Sequence, residues 1–224
     1  MTGREDSTPG RRPPEAAVVL TARGLRKSYR RGLVRRRQPV LRGVDLDLLP
    51  GQVVGVIGEN GSGKSTLMKI LVGALRADAG TVVHRGRIGY CPQSPQVYPR
   101  LTCDEHFDLF GHAYGMAEEE AEQSRQSLYD ELGFGRYAHT RAERLSGGTL
   151  AKLNLALALL PDPELMLLDE PYASFDWDTY QKFWDLVGER RRAGRAALVI
   201  SHFVVDEERF DRIVAITDGR AAPR

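Results

Sequence analysis

The chain has 224 residues, of which 42% are hydrophobic and 28% charged, and 32 Lys and Arg against 30 Asp and Glu give a net charge of +2. This length suits one α/β domain, or one domain with an inserted lobe, and the composition is typical of a globular protein. No run approaches the roughly 20 apolar residues that span a bilayer, and two cysteines argue for free thiols rather than a disulfide framework.

Residues 1–16 are rich in Arg, Pro and Glu and have no apolar core, so they do not have the pattern of a secretory signal. We predict that they form a disordered tail and that residues 17–224 form the folded domain. We therefore expect a cytoplasmic protein, whose role at a membrane would require another subunit.

The first half of the chain predicts strands and one helix. Val18–Tyr29 and Val40–Leu49 have the pattern of two N-terminal strands, joined by a turn over residues 30–39. Val53–Ile57 is an apolar run that ends at a glycine, and Lys64–Leu75 is predicted to be a helix. A strand, a Gly-rich turn and a helix form the beginning of a βαβ unit.

The predicted turn contains an arginine cluster. Six arginines lie between Arg30 and Arg42, and such a cluster is compatible with a nucleic-acid patch or with a solvated hairpin tip. No aromatic residues are interleaved with it, so we favour the hairpin tip and expect no specific nucleic-acid partner.

The second half predicts a helical insert and further buried strands. Thr102–Leu132 and Gly148–Leu160 have helical patterns within an insert at about residues 97–160. The remaining elements are a strand at Leu165–Leu168, an amphipathic helix at Asp176–Arg192, and strands at Ala196–Ile200 and Ile213–Ile216. The expected fold is an α/β core with a mainly parallel sheet and a helical insert.

Residues 58–65 match the phosphate-loop pattern G-x-x-x-x-G-K-[ST] in full. Glycines allow consecutive N–H groups to point at phosphate oxygens, and the following helix adds its positive N-terminal end. The lysine neutralises the outer phosphates and the serine offers a hydroxyl to Mg²⁺. The predicted loop comprises Gly58, Glu59, Asn60, Gly61, Ser62, Gly63, Lys64 and Ser65.

Two acids follow the apolar strand Leu165–Leu168. Side chains directly after a buried strand emerge at the carboxyl edge of the sheet, where ligands of α/β proteins bind. Asp169 is therefore placed to hold Mg²⁺, and Glu170 is placed to orient and deprotonate an attacking water. These motifs predict a nucleoside triphosphate with Mg²⁺, but not what its hydrolysis does.

With Leu145-Ser146-Gly147-Gly148, the chain resembles the nucleotide-binding domains of ABC ATPases from about Val18 to Gly219. The resemblance implies a P-loop NTPase core with a mainly parallel sheet, an N-terminal antiparallel β subdomain and an inserted helical subdomain. It also implies ATP and Mg²⁺ as cofactors, with contacts from Tyr29, the loop Gly58–Ser65, Thr66, Gln93, Ser146, Gly147, Gly148, Asp169 and Asp176.

The resemblance gives these residues individual roles. Tyr29 matches the aromatic residue that stacks on adenine, and Gln93 matches the glutamine that senses Mg²⁺ and couples to the transmembrane partner. Ser146, Gly147 and Gly148 match the signature that contacts the γ-phosphate of ATP held by the opposite monomer. Asp176 matches the aspartate that links the two sites. His202 matches the switch histidine, which joins Glu170, Lys64 and Gln93 as a catalytic residue.

The sequence departs from the family at three places. Thr149 stands where the signature usually has Gln, residues 150–154 are less basic than usual, and Phe175 stands where Leu is usual. The first departure affects the signature's contact with the opposite monomer's ATP. Because Glu170 and His202 are both retained, we expect an active enzyme.

The function implied by the resemblance is the ATP-hydrolysing subunit of an ABC transporter, with an exporter-like helical lobe at residues 101–107 and 114–116. Its partners would be a separate transmembrane permease subunit and a second ATPase subunit, with a homodimer expected. The chain would then lie at the inner face of the cell membrane through the permease. Two alternatives are a soluble ABC ATPase acting on ribosomes or DNA, and a non-hydrolysing ATP-binding module.

Overall fold

The structure is a computed structural model, which describes residues 18–31, 36–201 and 206–224. These ranges contain nine strands and five α-helices. In chain order they are β1 (Leu20–Arg31), β2 (Arg36–Leu48), β3 (Val53–Ile57), α1 (Lys64–Leu71), β4 (Ala79–His84), β5 (Ile88–Cys91), α2 (Cys103–Ala113), α3 (Glu118–Leu132), α4 (Gly147–Leu159), β6 (Leu165–Asp169), α5 (Trp177–Arg192), β7 (Ala196–Ile200), β8 (Arg212–Thr217) and β9 (Arg220–Pro223).

The strands form two sheets. The first is antiparallel in the order β2-β1-β4, and the second has the order β5-β6-β7-β3-β8-β9. In the second sheet every pairing is parallel except β8 with β9. Parallel strands have their carboxyl ends at the same edge, so the residues that follow β3, β5, β6 and β7 meet there. This architecture confirms the predicted fold class.

Helices and the first sheet cover the parallel strands on both faces. Every residue of β6 and β7 is buried, which explains why both strands are continuous apolar runs. One buried cluster packs this sheet against the helices that follow β5, with Phe107, Leu153 and Phe183 among its members. A second buried cluster, which includes Leu25 and Leu67, packs the parallel sheet against α1 and the antiparallel sheet. Cys91 and Cys103 are free, as predicted, and both are buried.

The helical region begins with a complete capping box. Thr102 accepts a hydrogen bond from the Glu105 backbone, and the Glu105 side chain accepts one from the Thr102 N–H. The helical pattern predicted over Thr102–Leu132 is present as two helices, α2 and α3, because the chain turns at Gly115, which has a φ of +68°. Within the described residues no helix is long and apolar enough to cross a membrane.

Several predicted boundaries differ from the structure. The helix predicted to reach Leu75 ends at Leu71, and β4, β5 and β9 were not predicted. The predicted turn was too long, because β1 continues to Arg31 and β2 begins at Arg36. Residues 32–35 and the predicted tail at 1–16 lie outside the described residues.

Candidate functional site

The phosphate loop joins the carboxyl end of the central strand β3 to the first turn of α1. Gly58 and Gly63 have φ values of +153° and +111°, where side chains are strained. A Cβ at Gly58 would lie 2.5 Å from the Ile216 carbonyl oxygen, and one at Gly63 would lie 2.9 Å from a Leu41 methyl. Both positions therefore require glycine.

Lys64 is the buried cation of this loop, with 5% of its surface exposed. Its Nζ donates hydrogen bonds to the carbonyl oxygens of Gly58, at 2.6 Å, and Glu59, at 3.0 Å. Burial lowers the pKa of the ammonium, while Glu170 and Asp169 act to raise it. Lys64 is therefore hydrogen-bonded to the backbone of its own loop and interacts electrostatically with the two acids at the end of β6.

Asp169, the last residue of β6, is 3% exposed. Burial, followed by the charge of Glu170, raises the pKa of its carboxyl to about 6, against the opposing effects of Lys64 and a hydrogen bond with Ser65. Its Oδ1 is buried without a hydrogen-bond partner among the described residues. An unpaired buried carboxylate oxygen fits a cation ligand, because a cation would satisfy it.

The donor set suits Mg²⁺. The Asp169 carboxylate and the Ser65 hydroxyl are hard oxygen ligands, and Mg²⁺ is typically held by one or two carboxylates together with substrate phosphates. In the described parts of the chain there is no cluster of three or more His, Cys, Asp or Glu that could hold a metal alone. The residues present therefore fit a Mg²⁺ ion that arrives with a phosphate ligand.

Glu170 faces the phosphate loop across a cavity. Its backbone has a φ of +51°, which is uncommon for a residue with a side chain. Its Oε2 accepts a hydrogen bond from Gln93 Nε2 at 3.0 Å. The cavity is about 310 Å³ and is lined by Val40, Asn60, Gly61, Gly63, Lys64, Ser65, Thr66, Gln93 and Glu170. Predicted residues from three parts of the sequence thus meet at one site.

Tyr29 lies on β1 next to the end of the phosphate loop. Its hydroxyl is 3.4 Å from the Thr66 hydroxyl, and 42% of its surface is exposed. An exposed ring at the rim of a phosphate-binding loop is available to stack on a planar group. The structure therefore brings Tyr29 to the same region as Thr66.

A second, larger cavity of about 1010 Å³ opens on the other side of Glu170. Asp176, a predicted site residue, lines this cavity together with aromatic side chains that were not predicted. Those side chains are Tyr172, Phe175, Trp177 and Tyr180, and the cavity also contacts Gly58, Glu59 and Asn60. The density of aromatic residues between positions 172 and 184 was the available signal. Trp177 is 63% exposed and stacks on Tyr180, with 5.5 Å between the ring centroids.

The signature residues lie at the exposed beginning of α4. Ser146 is the N-cap, and its Oγ accepts a hydrogen bond from the Thr149 N–H at 3.2 Å. Ser146, Gly147 and Gly148 are absent from the described linings of both cavities. The structure therefore does not bring them to the phosphate loop of the same chain. His202 lies outside the described residues.

Comparison with known proteins shows the family of this chain. The family model described as ABC transporter matches residues 41–173. The Nod factor export ATP-binding protein I of Paraburkholderia xenovorans (strain LB400) is 32% identical over 223 residues, which cover 92% of this chain and 70% of that protein. ATP-binding cassette sub-family A member 10 of Homo sapiens is 30% identical, and the match covers 92% of this chain but 15% of that protein.

Solved structures share the fold. The structure of an ATP-binding subunit of an ABC transporter superposes with a TM-score of 0.84 and 28% identity, covering 92% of this chain and 89% of that one. A bacterial ABC transporter cassette solved as a dimer has a TM-score of 0.82 at 24% identity, covering 90% and 96% of the two chains.

Proposed function

The chain belongs to the ABC transporter family as an ATP-binding cassette, and from this premise we propose that it hydrolyses ATP to power transport, as export, through a separate membrane subunit. The observation that carries the proposal is the Gln93–Glu170 hydrogen bond, at the mouth of a cavity bordered by the Lys64 loop. It holds a carboxylate beside the place where a terminal phosphate would lie.

ATP would be held by the phosphate loop and by Tyr29. The N–H groups of Gly58–Ser65 and the N-terminal end of α1 would surround the phosphates, and Lys64 would exchange its bonds to Gly58 and Glu59 for phosphate oxygens. The Tyr29 ring would stack on adenine, with Thr66 beneath it. Lys64, Ser65 and Thr66 line one cavity, and Tyr29 lies beside Thr66.

Hydrolysis requires a positioned base and a neutralised phosphate. Mg²⁺, which Ser65, Gln93 and Asp169 would hold, would supply charge neutralisation at the phosphates. Glu170 would orient a water and accept its proton, and Gln93 would hold the Glu170 carboxylate in that orientation. His202 would complete the set by contacting the terminal phosphate.

The signature residues Ser146, Gly147 and Gly148 would act on ATP bound by a second copy of this chain. Ser146 and Gly147 are exposed at the beginning of α4, where free N–H groups and the positive helix end suit an anion. Since they line neither cavity of their own chain, they would serve the ATP of a head-to-tail partner. Asp176, which caps α5 at the rim of the aromatic cavity, would connect the two sites. We propose a homodimer.

The membrane partner would contact the surface near Gln93, through Tyr98, which is 57% exposed. The contact would extend to Asp104 and Glu105 at the beginning of α2, where charge reversal should uncouple transport from ATP hydrolysis. Asp104 also accepts a hydrogen bond from the Tyr129 hydroxyl at 2.8 Å, and Glu105 belongs to the capping box of α2. A cassette bound in this way would lie at the inner face of the cell membrane. The export direction rests on the name of the Nod factor export relative.

Phosphate release tests the proposal. The purified chain should release phosphate from ATP only with Mg²⁺, and Lys64→Ala should lower the rate to background. Equal phosphate release by the wild type and Lys64→Ala would contradict hydrolysis at this site, and the non-hydrolysing ATP-binding module would then be the remaining alternative.

Photo-crosslinking tests the membrane partner. A crosslinker at position 98 in intact cells should capture a polytopic membrane protein. Exclusive capture of ribosomal or DNA-bound proteins would support the soluble alternative.

A further inference from the structure

Asn154 is an anomaly in the interior of α4. Residues 153–159 are all buried, and every one except Asn154 is apolar. Asn is a weak helix former, and a buried amide costs free energy unless its polar atoms are hydrogen-bonded. The side chain is 7% exposed. Its hydrogen bonds are therefore what stabilises an amide at this position.

Those bonds all go to one segment of chain. Asn154 Nδ2 donates to the Pro92 carbonyl oxygen at 2.9 Å and to Cys91 Sγ at 3.2 Å, while its Oδ1 accepts from the Gln96 N–H at 3.4 Å. A carbonyl oxygen can only accept and an N–H can only donate, so these contacts fix which way the amide points. The three contacts bracket Gln93 on both sides.

Gln93 in turn contacts Glu170, through the 3.0 Å hydrogen bond from its Nε2. Gln93 is exposed, so its own side chain has little packing to hold it in place. A continuous path of contacts therefore runs from α4 through residues 91–96 to the proposed base. Asn154 lies eight residues after the helix cap Ser146, about 12 Å along the axis.

We propose that Asn154 is a positioning residue for ATP hydrolysis, which fixes residues 91–96 to α4 and thereby holds Gln93 against Glu170. The inference rests on the proposed function. An amide at position 154 supplies the donor and the acceptor that bracket Gln93, which neither Ala nor Leu can do. Because Ser146 caps the same helix, the signature and Gln93 move together when α4 moves.

Steady-state kinetics of the full chain test this role. Asn154→Ala should lower kcat for ATP at least about 10-fold, because small displacements of a catalytic geometry are costly. The KM for ATP should stay within about 3-fold, because Lys64 and Ser65 are untouched. Asn154→Leu, which keeps the branched shape of the side chain but has no hydrogen-bonding group, should lower kcat in the same way. The matched control is Leu159→Ala, a buried α4 residue about one and a half turns further on, which should lose stability but keep kcat.

A double-mutant cycle separates positioning from a general effect on stability. If Asn154 acts through Gln93, adding Asn154→Ala to Gln93→Ala should lower kcat no further. The proposal would be overturned if the kcat losses of the two single variants multiply in the double variant. It would also be overturned if Asn154→Ala keeps the wild-type kcat, or if the chain cannot fold without Asn154. A wild-type chain without ATPase activity would instead contradict the proposed function. In that case faster amide exchange at Gln93, Ser94 and Gln96 in Asn154→Ala than in Leu159→Ala would support the tether, and equal exchange would overturn it.

Discussion

Gln93 donates a hydrogen bond to Glu170 across 3.0 Å, although 77 residues separate them in the chain. The two side chains meet because β5 and β6 are neighbouring parallel strands, with Cys91 paired to Leu168. Residues just beyond each strand therefore emerge side by side at the same edge of the sheet. This pairing places an amide donor on the oxygen of the proposed base.

Glu170→Gln should lower kcat by roughly 10²–10⁴-fold, because a carboxamide cannot accept a proton at neutral pH. The substituted side chain keeps an oxygen that can accept the Gln93 hydrogen bond, so the local arrangement should survive. Single-turnover phosphate release measures the effect. The matched control Glu208→Gln changes an exposed acid outside the site and should leave the rate unchanged. Wild-type turnover by Glu170→Gln would remove the base assignment.

Glu170→Gln should also accumulate as an ATP-bound dimer. Ser146→Arg added to it should abolish that dimer, because the bulky side chain would fill the exposed helix cap that is proposed to face the partner's phosphate. Each monomer should still bind one ATP. Size-exclusion chromatography with and without Mg-ATP makes the measurement. A double variant that still dimerises with ATP would contradict the head-to-tail arrangement.

Lys64→Ala should weaken ATP binding by about 10-fold or more, since charge-assisted hydrogen bonds contribute roughly 1.5–3 kcal/mol. Titration with a fluorescent ATP analogue measures the change. Lys69→Ala is the matched control, because this exposed lysine lies on the same helix one turn and a half further on. Comparable losses from both substitutions would point to nonspecific charge attraction instead of a phosphate loop.

Asp169→Asn should stabilise the nucleotide-free chain at pH 8 by roughly 1–3 kcal/mol, because the wild-type carboxyl, whose pKa is raised to about 6, must be buried there as an anion. A raised carboxyl pKa favours folding at low pH, and this contribution is lost as the pH rises through about 6. The gain from Asn should therefore shrink between pH 6 and pH 4.

Chemical denaturation at pH 5 and pH 8 tests the Asp169 prediction. Asp185→Asn serves as the control, because it removes an exposed acid on α5. With Mg-ATP present the order should reverse, because the wild type has the carboxylate ligand and the variant does not. A gain from Asn that does not depend on pH would contradict the burial argument.

The sequence predicted the elements that carry strong local signals. Val53–Ile57 and Ala196–Ile200 match β3 and β7 residue for residue, because continuous apolar runs are typical of buried parallel strands. β4 was missed because most of its residues are exposed, so its pattern has no buried face. The break in the long helical pattern was missed because a single glycine, Gly115, terminates α2.

The site shows a similar division. The phosphate loop and the acids after β6 are contiguous motifs, so their chemistry could be predicted without a fold. Asn154 could not be found in this way, because its role depends on contacts with residues about 60 positions earlier. The aromatic cavity near Asp176 likewise exists only once α5 packs beside the phosphate loop.

Because both natural thiols are buried, we expect the native chain to be unreactive toward cysteine reagents. Burial raises the pKa of Cys91 to about 12 and that of Cys103 to about 11, so neither presents a thiolate at neutral pH. A cysteine introduced on the surface, for example at Tyr98, would be alkylated selectively without removing the natural ones. Conversely, labelling of Cys91 and Cys103 would count the molecules that have opened, so the unmodified chain contains its own unfolding probe.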